Sequence, residues 1–178
     1  EARKKLLGGN QTTTFELYSI ASHVLDKPRE WVITHYEIIL TDEVQSALNG
    51  CLDRYLKGEP LPYITGRQSF YGLDFLVNKD VLIPRPETEL LVEEAIEWLS
   101  VHPDRRVHID IGTGTGIIPI TLVDQFPDLH STGIDISPAA LKVATANVLK
   151  YHLEHKIALL HNDLLSGLFM ASDLITAN

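Results

Sequence analysis

The sequence is poor in sulfur, with one cysteine, Cys51, and one methionine, Met170, in 178 residues. A single cysteine excludes a disulfide within the chain and fits a reducing compartment, so the cytoplasm is the expected location. Long hydrophobic runs are also missing: no stretch approaches the roughly 20 apolar residues that span a bilayer. The segment Glu1-Ala2-Arg3-Lys4-Lys5-Leu6-Leu7 is too short of apolar side chains for a signal peptide. It opens on Glu1 rather than Met, so the numbering is expected to begin inside a longer chain. Basic residues are scarce in one half. Residues 1–84 hold 9 Lys/Arg against 11 Asp/Glu, whereas residues 85–178 hold 6 against 13. A surface that neutralises phosphates needs clustered Lys and Arg. Nucleic acid is therefore a poor candidate partner for the second half. With 44% apolar and 22% charged residues, the balance is that of a globular protein.

What is present divides by period. Leu17, Ile20, Ala21, Val24 and Leu25 recur at the spacing of one helical face, and so do Val44, Ala47, Leu48, Cys51, Leu52, Tyr55 and Leu56. Thr41 is a natural cap for the second helix and Gly58 a natural stop. A further helix is expected over Arg29–Ile39, with Trp31 and Val32 buried. These segments predict a small helical bundle, in which Cys51 is a core residue. Pro60 and Pro62 then break the helical pattern. Residues 69–78 are rich in aromatic and branched side chains, with Gly72 as an expected bend. With Val81-Leu82-Ile83 they predict a hairpin turning near Asn78-Lys79-Asp80.

From Pro84 onward helix and strand patterns alternate. An amphipathic helix is expected over Glu87–Ser100, with Leu90, Leu91, Ala95, Trp98 and Leu99 on its apolar side. Strands are expected at Val107–Ile111, Thr132–Ile136, Ile157–His161 and Asp173–Ala177. Helices should run to about Gln125 after the first strand and from Ser137-Pro138 after the second. Such alternation with short connections predicts a parallel, doubly wound sheet covered by helices. Four strands leave an edge uncovered, so the natural protein is expected to continue past Asn178.

Ligands of open parallel sheets bind beyond the carboxyl ends of the strands. Three features fall there: Asp110-Ile111-Gly112-Thr113-Gly114-Thr115-Gly116, Asp135 and Asn178. Glycines let backbone approach a ligand where a Cβ would intrude. Asp135, 23 residues after Gly112, is placed to accept from two ribose hydroxyls. A dinucleotide loop would need its third glycine at position 117, which is Ile. The D-x-G-x-G-x-G form instead resembles the S-adenosylmethionine (AdoMet) loop of Rossmann-like methyltransferases. Asp110 is expected to steer the loop or the amino group of the ligand from beneath.

Two further segments narrow the resemblance, Pro62-Tyr63-Ile64-Thr65-Gly66-Arg67-Gln68-Ser69-Phe70-Tyr71-Gly72 and Leu82-Ile83-Pro84-Arg85-Pro86-Glu87-Thr88-Glu89-Leu90-Leu91-Val92. With the order of the whole chain, they resemble the HemK/PrmC-type release factor glutamine methyltransferases. That resemblance implies a helical substrate-recognition domain over 1–66, a hairpin linker over 67–84 and a methyltransferase domain over 85–178. It implies AdoMet as cofactor, S-adenosylhomocysteine as product, and the Gly-Gly-Gln glutamine amide of peptide chain release factors as acceptor. The family's catalytic Asn-Pro-Pro-Tyr begins here at Asn178. The expected cofactor residues are Asp110, Gly112, Thr113, Gly114, Thr115, Gly116, Asp135, Asp163 and Leu164. Many members carry an aromatic residue where Leu164 stands, so apolar contact replaces ring stacking against adenine. Arg85 and Glu87 are expected to join Asn178 at the substrate, and Arg67 could be an interdomain ion-pair residue or a substrate contact. His152 and His155 lack further ligands at suitable spacing, so no metal is expected. Rival readings are an adenine amino-methyltransferase, a non-catalytic AdoMet-binding module and a nicotinamide-dependent oxidoreductase.

Overall fold

The structure, a computed structural model, describes residues 14–178. The chain divides into two compact units, the first ending at Gly66 and the second running from Arg67 to Asn178.

The first unit is helical: α1 (Thr14–Leu25), α2 (Arg29–Thr34), α3 (Asp42–Leu56) and α4 (Leu61–Thr65). Its core joins Ile20, Leu48 and Leu52, with Leu17, Ala21, Val24, Cys51 and Tyr55 packed around them. These are the predicted stripes. Thr41 caps α3 by accepting from the Val44 N–H. Two expectations need correction. The second helix stops at Thr34, well short of Ile39, and Trp31 is only half-buried. Val32-Ile33-Thr34 is a β-branched run that disfavours helix. The Thr34 hydroxyl also bonds back to the Glu30 and Trp31 carbonyls, as hydroxyl residues do where helices bend or end. Conversely, Pro60 and Pro62 permit helix α4. Pro62 stands in its first turn, where a missing N–H costs nothing.

The second unit opens with an antiparallel pair, β1 (Arg67–Phe70) and β2 (Leu73–Leu76). It turns at Tyr71-Gly72, not near Asn78-Lys79-Asp80. Gly72 supplies the positive φ a tight turn needs, and Tyr71 adopts one as well. Then follow α5 (Pro86–Val101), β3 (Val107–Ile111), α6 (Ile117–Gln125), β4 (His130–Asp135), α7 (Pro138–Lys150), β5 (Ile157–His161) and β6 (Leu174–Ala177). The four last-named strands form a parallel sheet in the order β5-β4-β3-β6. Helices α5, α6 and α7 lie side by side along it, around Val92, Leu99, Ile118, Ile120, Leu122 and Val148. On α5 the buried face is Thr88, Val92, Ala95 and Leu99, so Leu90, predicted apolar-side, is exposed. The chain winds outward through β3, β4 and β5, then returns to the far side of β3 as β6. That reversal sets a switch point between the carboxyl ends of β3 and β6, where such sheets hold ligands.

A buried side chain of α7 ties the hairpin to the loop that follows β3. Asn147 of α7 is fully buried. It accepts from Leu76 N–H at 2.7 Å and donates to the carbonyls of Leu76 and Thr115 at 3.0 and 2.9 Å. In effect it extends the β2 edge as a missing strand would. Nearby, Tyr151 Oη accepts from Asp74 N–H and donates to the Asp74 carbonyl. Burial pushes the Asp74 carboxyl up, but hydrogen bonds from Lys150 and Arg67 outweigh that and hold it below its ordinary value. Arg67 thus has an ion-pair partner at 2.6 Å inside its own hairpin.

Asn147→Leu would leave three buried backbone groups without partners. It should cost about 3 kcal/mol in urea unfolding, against about 1 kcal/mol for Tyr151→Phe. Equal losses for the two variants would refute the bridging role.

Candidate active site

Strand β3 ends in the glycine loop, and the polar residues beneath it come from three strands. Parallel pairing places His108 beside Ser131, and Asp110 beside Gly133 and Thr176. His108, Asp110, Ser131 and Thr176 are all buried. The His108 ring lies 2.7 Å from Ser131 Oγ through Nδ1 and 2.8 Å from Thr176 Oγ1 through Nε2. Thr176 Oγ1 donates to Asp110 Oδ1 at 2.7 Å. A hydroxyl has one proton, so the Nε2 of His108 must carry the hydrogen and Ser131 must donate to Nδ1. The line Ser131–His108–Thr176–Asp110 therefore runs in one direction. It ends on a carboxylate under the loop.

Burial pushes the Asp110 carboxyl up to about 6, opposed by the Thr176 and Thr113 hydroxyls and assisted by the charge of Asp135. Burial also holds His108 down to about 4. Thr113 lies close enough to act on that charge without completing a hydrogen bond. Asp110 Oδ2 and Thr113 Oγ1 are both buried with no partner among the described residues. Orphaned polar atoms of this kind cost free energy unless a water or a ligand supplies a partner.

The loop folds over this base with Gly112, Gly114 and Gly116 all at positive φ. A Cβ on Gly112 would meet nothing within 4 Å, and one on Gly114 only the Gly112 carbonyl at 3.9 Å, so that side of the loop is open to a ligand. Gly116 has a second reason to be glycine: its Cβ would stand 3.4 Å from Ala144 of α7. Gly133 makes room from below, since a Cβ there would lie 2.7 Å from Thr113 Oγ1. Asp135, at the end of β4, accepts from Gly114 N–H at 2.8 Å and Ser137 N–H at 2.9 Å. Its carboxylate braces the loop with one lone pair on each oxygen. A second pair on each remains for hydroxyl donors.

The other candidates arrange themselves around this centre. Asp163 and Leu164 are exposed in the loop after β5. Leu164 is held at positive φ, while Asn162 donates to the Leu164 and Ser166 carbonyls and is itself tied to the Asp135 carbonyl. Asn178 follows β6 directly, and Ala177 pairs with Ile111, so Asn178 and Gly112 leave adjacent strands side by side. Asn178 Nδ2 donates to Thr88 Oγ1 at 2.7 Å. Arg85 and Glu87 are exposed at the start of α5. In the same segment, Thr88 bonds Asn178 and Glu89 accepts from Tyr71 N–H at 3.2 Å. The residues the sequence did not reveal are Thr88, His108, Ser131, Asn147 and Thr176, together with Ile136, exposed beside Asp135. His108 had one legible signal, its two-residue spacing from Asp110 on one strand face.

Residues 1–66 match the PrmC N-terminal domain and residues 87–178 match the methyltransferase small domain. The chain is 44% identical over 144 residues to a release factor glutamine methyltransferase of Koribacter versatilis, covering 81% of this chain and 50% of that protein. It is 37% identical over 149 residues to the protein of the same name from Aliivibrio fischeri, covering 84% and 52%. The chain thus spans about half the length of these relatives. Among solved structures, the delta-N METTL16 MTase domain resembles it with a TM-score of 0.51 at 23% identity, over 61% of this chain and 52% of that one. That is a likeness of fold alone.

The two shifted groups act on stability in opposite directions. Asp110 binds its proton more tightly folded than unfolded, so acidification from about 6 toward 3.8 favours the fold. His108 resists protonation, so acidification from 6.5 toward about 4 disfavours it. Asp110→Asn removes the first effect and leaves the second. Stability measured by urea unfolding should then fall more steeply between pH 6 and pH 4, by up to about 1.4 kcal/mol per pH unit. An unchanged slope would show that Asp110 is not held protonated in this range.

Proposed function

The chain belongs to the methyltransferase small domain family, and from that premise we propose that it is the donor side of a release factor glutamine methyltransferase. The acceptor is the side-chain amide nitrogen of the glutamine in the Gly-Gly-Gln loop of peptide chain release factors, and the reaction belongs to the cytoplasm. The observation that carries this reading is the juxtaposition at the switch point. The glycine loop and Asn178 leave paired strands, β3 and β6, at the same end of the sheet.

The residues present fit AdoMet. The loop is open over Gly112 and Gly114, Asp135 retains acceptor capacity for ribose hydroxyls, and a buried carboxylate underlies the loop. We assign the holding of the cofactor to Asp110, Gly112, Thr113, Gly114, Thr115, Gly116 and Asp135, with Asp163 and Leu164 toward its base. When bound, AdoMet supplies a methyl group on a sulfonium, which keeps the electron pair of the broken S–C bond as S-adenosylhomocysteine forms. An amide nitrogen is a weak nucleophile because its lone pair is delocalised into the carbonyl. Positioning is therefore what the protein must contribute. The Asn178 carboxamide oxygen accepts one amide N–H of the substrate glutamine. That turns the nitrogen lone pair out of conjugation and toward the donor, and the displaced proton leaves to water. Such an acceptor also rejects side chains without an NH₂. Arg85 and Glu87, exposed at the start of α5, are assigned to the substrate side. The helical unit, matching the PrmC N-terminal domain, is assigned to recognition of the release factor.

With tritiated AdoMet, the intact protein should label a wild-type release factor and fail to label its Gly-Gly-Gln Gln→Ala variant. Equal labelling of both would overturn the assignment, and so would labelling of adenine in nucleic acid alone. Asp135→Ala should weaken AdoMet binding in calorimetry by about 1–3 kcal/mol, the scale of a lost charge-assisted hydrogen bond. Unchanged affinity would remove Asp135 from the cofactor site.

A further inference from the structure

We infer that Thr88 is the positioning residue for Asn178: its hydroxyl holds the carboxamide nitrogen so that the carboxamide oxygen is presented to the substrate amide. This rests on the functional reading above. A primary carboxamide has two chemically opposite ends on nearly the same shape, an acceptor oxygen and a donor NH₂. Presented the wrong way round, Asn178 would offer N–H groups to a substrate NH₂ that is itself a donor. In the structure the carboxamide is turned with its nitrogen toward Thr88, the Asn178 Nδ2 donating to Thr88 Oγ1 at 2.7 Å. No other side-chain hydrogen bond is formed by the Asn178 carboxamide among the described residues.

The location of Thr88 suits a fixed support better than an adaptable one. It is 3% exposed in the first turn of α5, where its own N–H is bonded to the Arg85 carbonyl at 3.0 Å. Its neighbour Glu89 accepts from Tyr71 N–H, which ties the same turn to the hairpin. At the other partner's end, Thr176 is anchored to Asp110, two residues before Asn178. Both sides of the Thr88–Asn178 bond are thus carried on restrained backbone. A hydroxyl can donate or accept, so it adapts to either end of an amide in isolation. Once the substrate N–H occupies the oxygen, only an acceptor satisfies the nitrogen. Thr88 supplies that acceptor without burying a competing charge. A valine of the same shape supplies none.

The test uses the intact protein, wild type, Thr88→Val and Thr88→Ser, with AdoMet and a release factor. Thr88→Val should lower kcat by about 10- to 100-fold, the penalty expected of a misdirected catalytic group. Its AdoMet affinity should stay within about twofold and its thermal midpoint close to wild type. Thr88→Ser, which keeps the hydroxyl, should recover most of the lost kcat. A Thr88→Val kcat within twofold of wild type overturns the inference. So does a loss that serine fails to recover, or one matched by an equal loss of AdoMet affinity. A second readout is independent of turnover: in wild-type protein, NMR of the Asn178 side-chain NH₂ should show one proton protected from exchange, and that protection should vanish in Thr88→Val. Two rapidly exchanging protons in the wild type also overturn the inference. Absence of release factor labelling by the wild type would instead remove the substrate assignment, with the Thr88 contact still decided by the NMR result.

Discussion

Thr176 donates its hydroxyl proton to a carboxylate that water does not reach, and the arrangement of the site follows from that bond. Asp110 lies on β3 two residues before Gly112, and Thr176 lies on β6 two residues before Asn178. Backbone pairing alone would align the two strands. The side-chain bond adds a fixed electrostatic link between the loop and the terminus that faces it. The cost of burying that carboxylate is visible in Asp110, whose proton affinity rises because burial penalises the charge more than the hydroxyls support it. The cost is limited because His108 and Ser131 complete a polar line in which each member is satisfied in turn. Buried networks of this kind are stabilising only when nearly complete. The one incomplete end, Asp110 Oδ2 with Thr113 Oγ1, lies directly beneath the loop.

The second constraint is the way the glycine loop is restrained from its flanks. Asp135 holds the Gly114 N–H from β4, and Asn147 holds the Thr115 carbonyl from α7 while grasping the β2 edge. Two side chains from later elements thereby fix a loop whose glycines give its backbone more freedom than other residues would. The same division of labour recurs at Asn178. Thr88 and Glu89 tie the start of α5 to Asn178 and to the hairpin turn. Rigid neighbours hold small conformationally free elements, which is how a positioning site is kept within a fraction of an ångström.

Where the sequence was misleading, a local signal lost to context. Leu90 looked apolar-side by periodicity, but the α5 stripe passes through Thr88, Val92, Ala95 and Leu99 and leaves Leu90 in solvent. Pro62 read as a breaker, yet a proline in the first helical turn breaks nothing. The hairpin turn was sought at Asn78-Lys79-Asp80 on turn chemistry, while Tyr71-Gly72 took it because β1 and β2 place their aromatic side chains, Phe70 and Phe75, in the core.

Local chemistry was enough to determine the parallel sheet, the helical first segment, the glycine loop and the capping of α3 and α7. Period, glycine spacing and cap residues act over a few positions and are written directly in the chain. The sequence also marked Asp110, Asp135 and Asn178, because strand ends are where such sheets expose chemistry. Only the tertiary structure decided what these residues touch. Thr88 meets Asn178 across 90 positions, and His108 meets Thr176 across 68. Such pairs depend on strand order and on how helices lie over the sheet. No single-chain pattern encodes that, because a hydrogen-bond partner is specified by three-dimensional distance rather than by spacing along the chain.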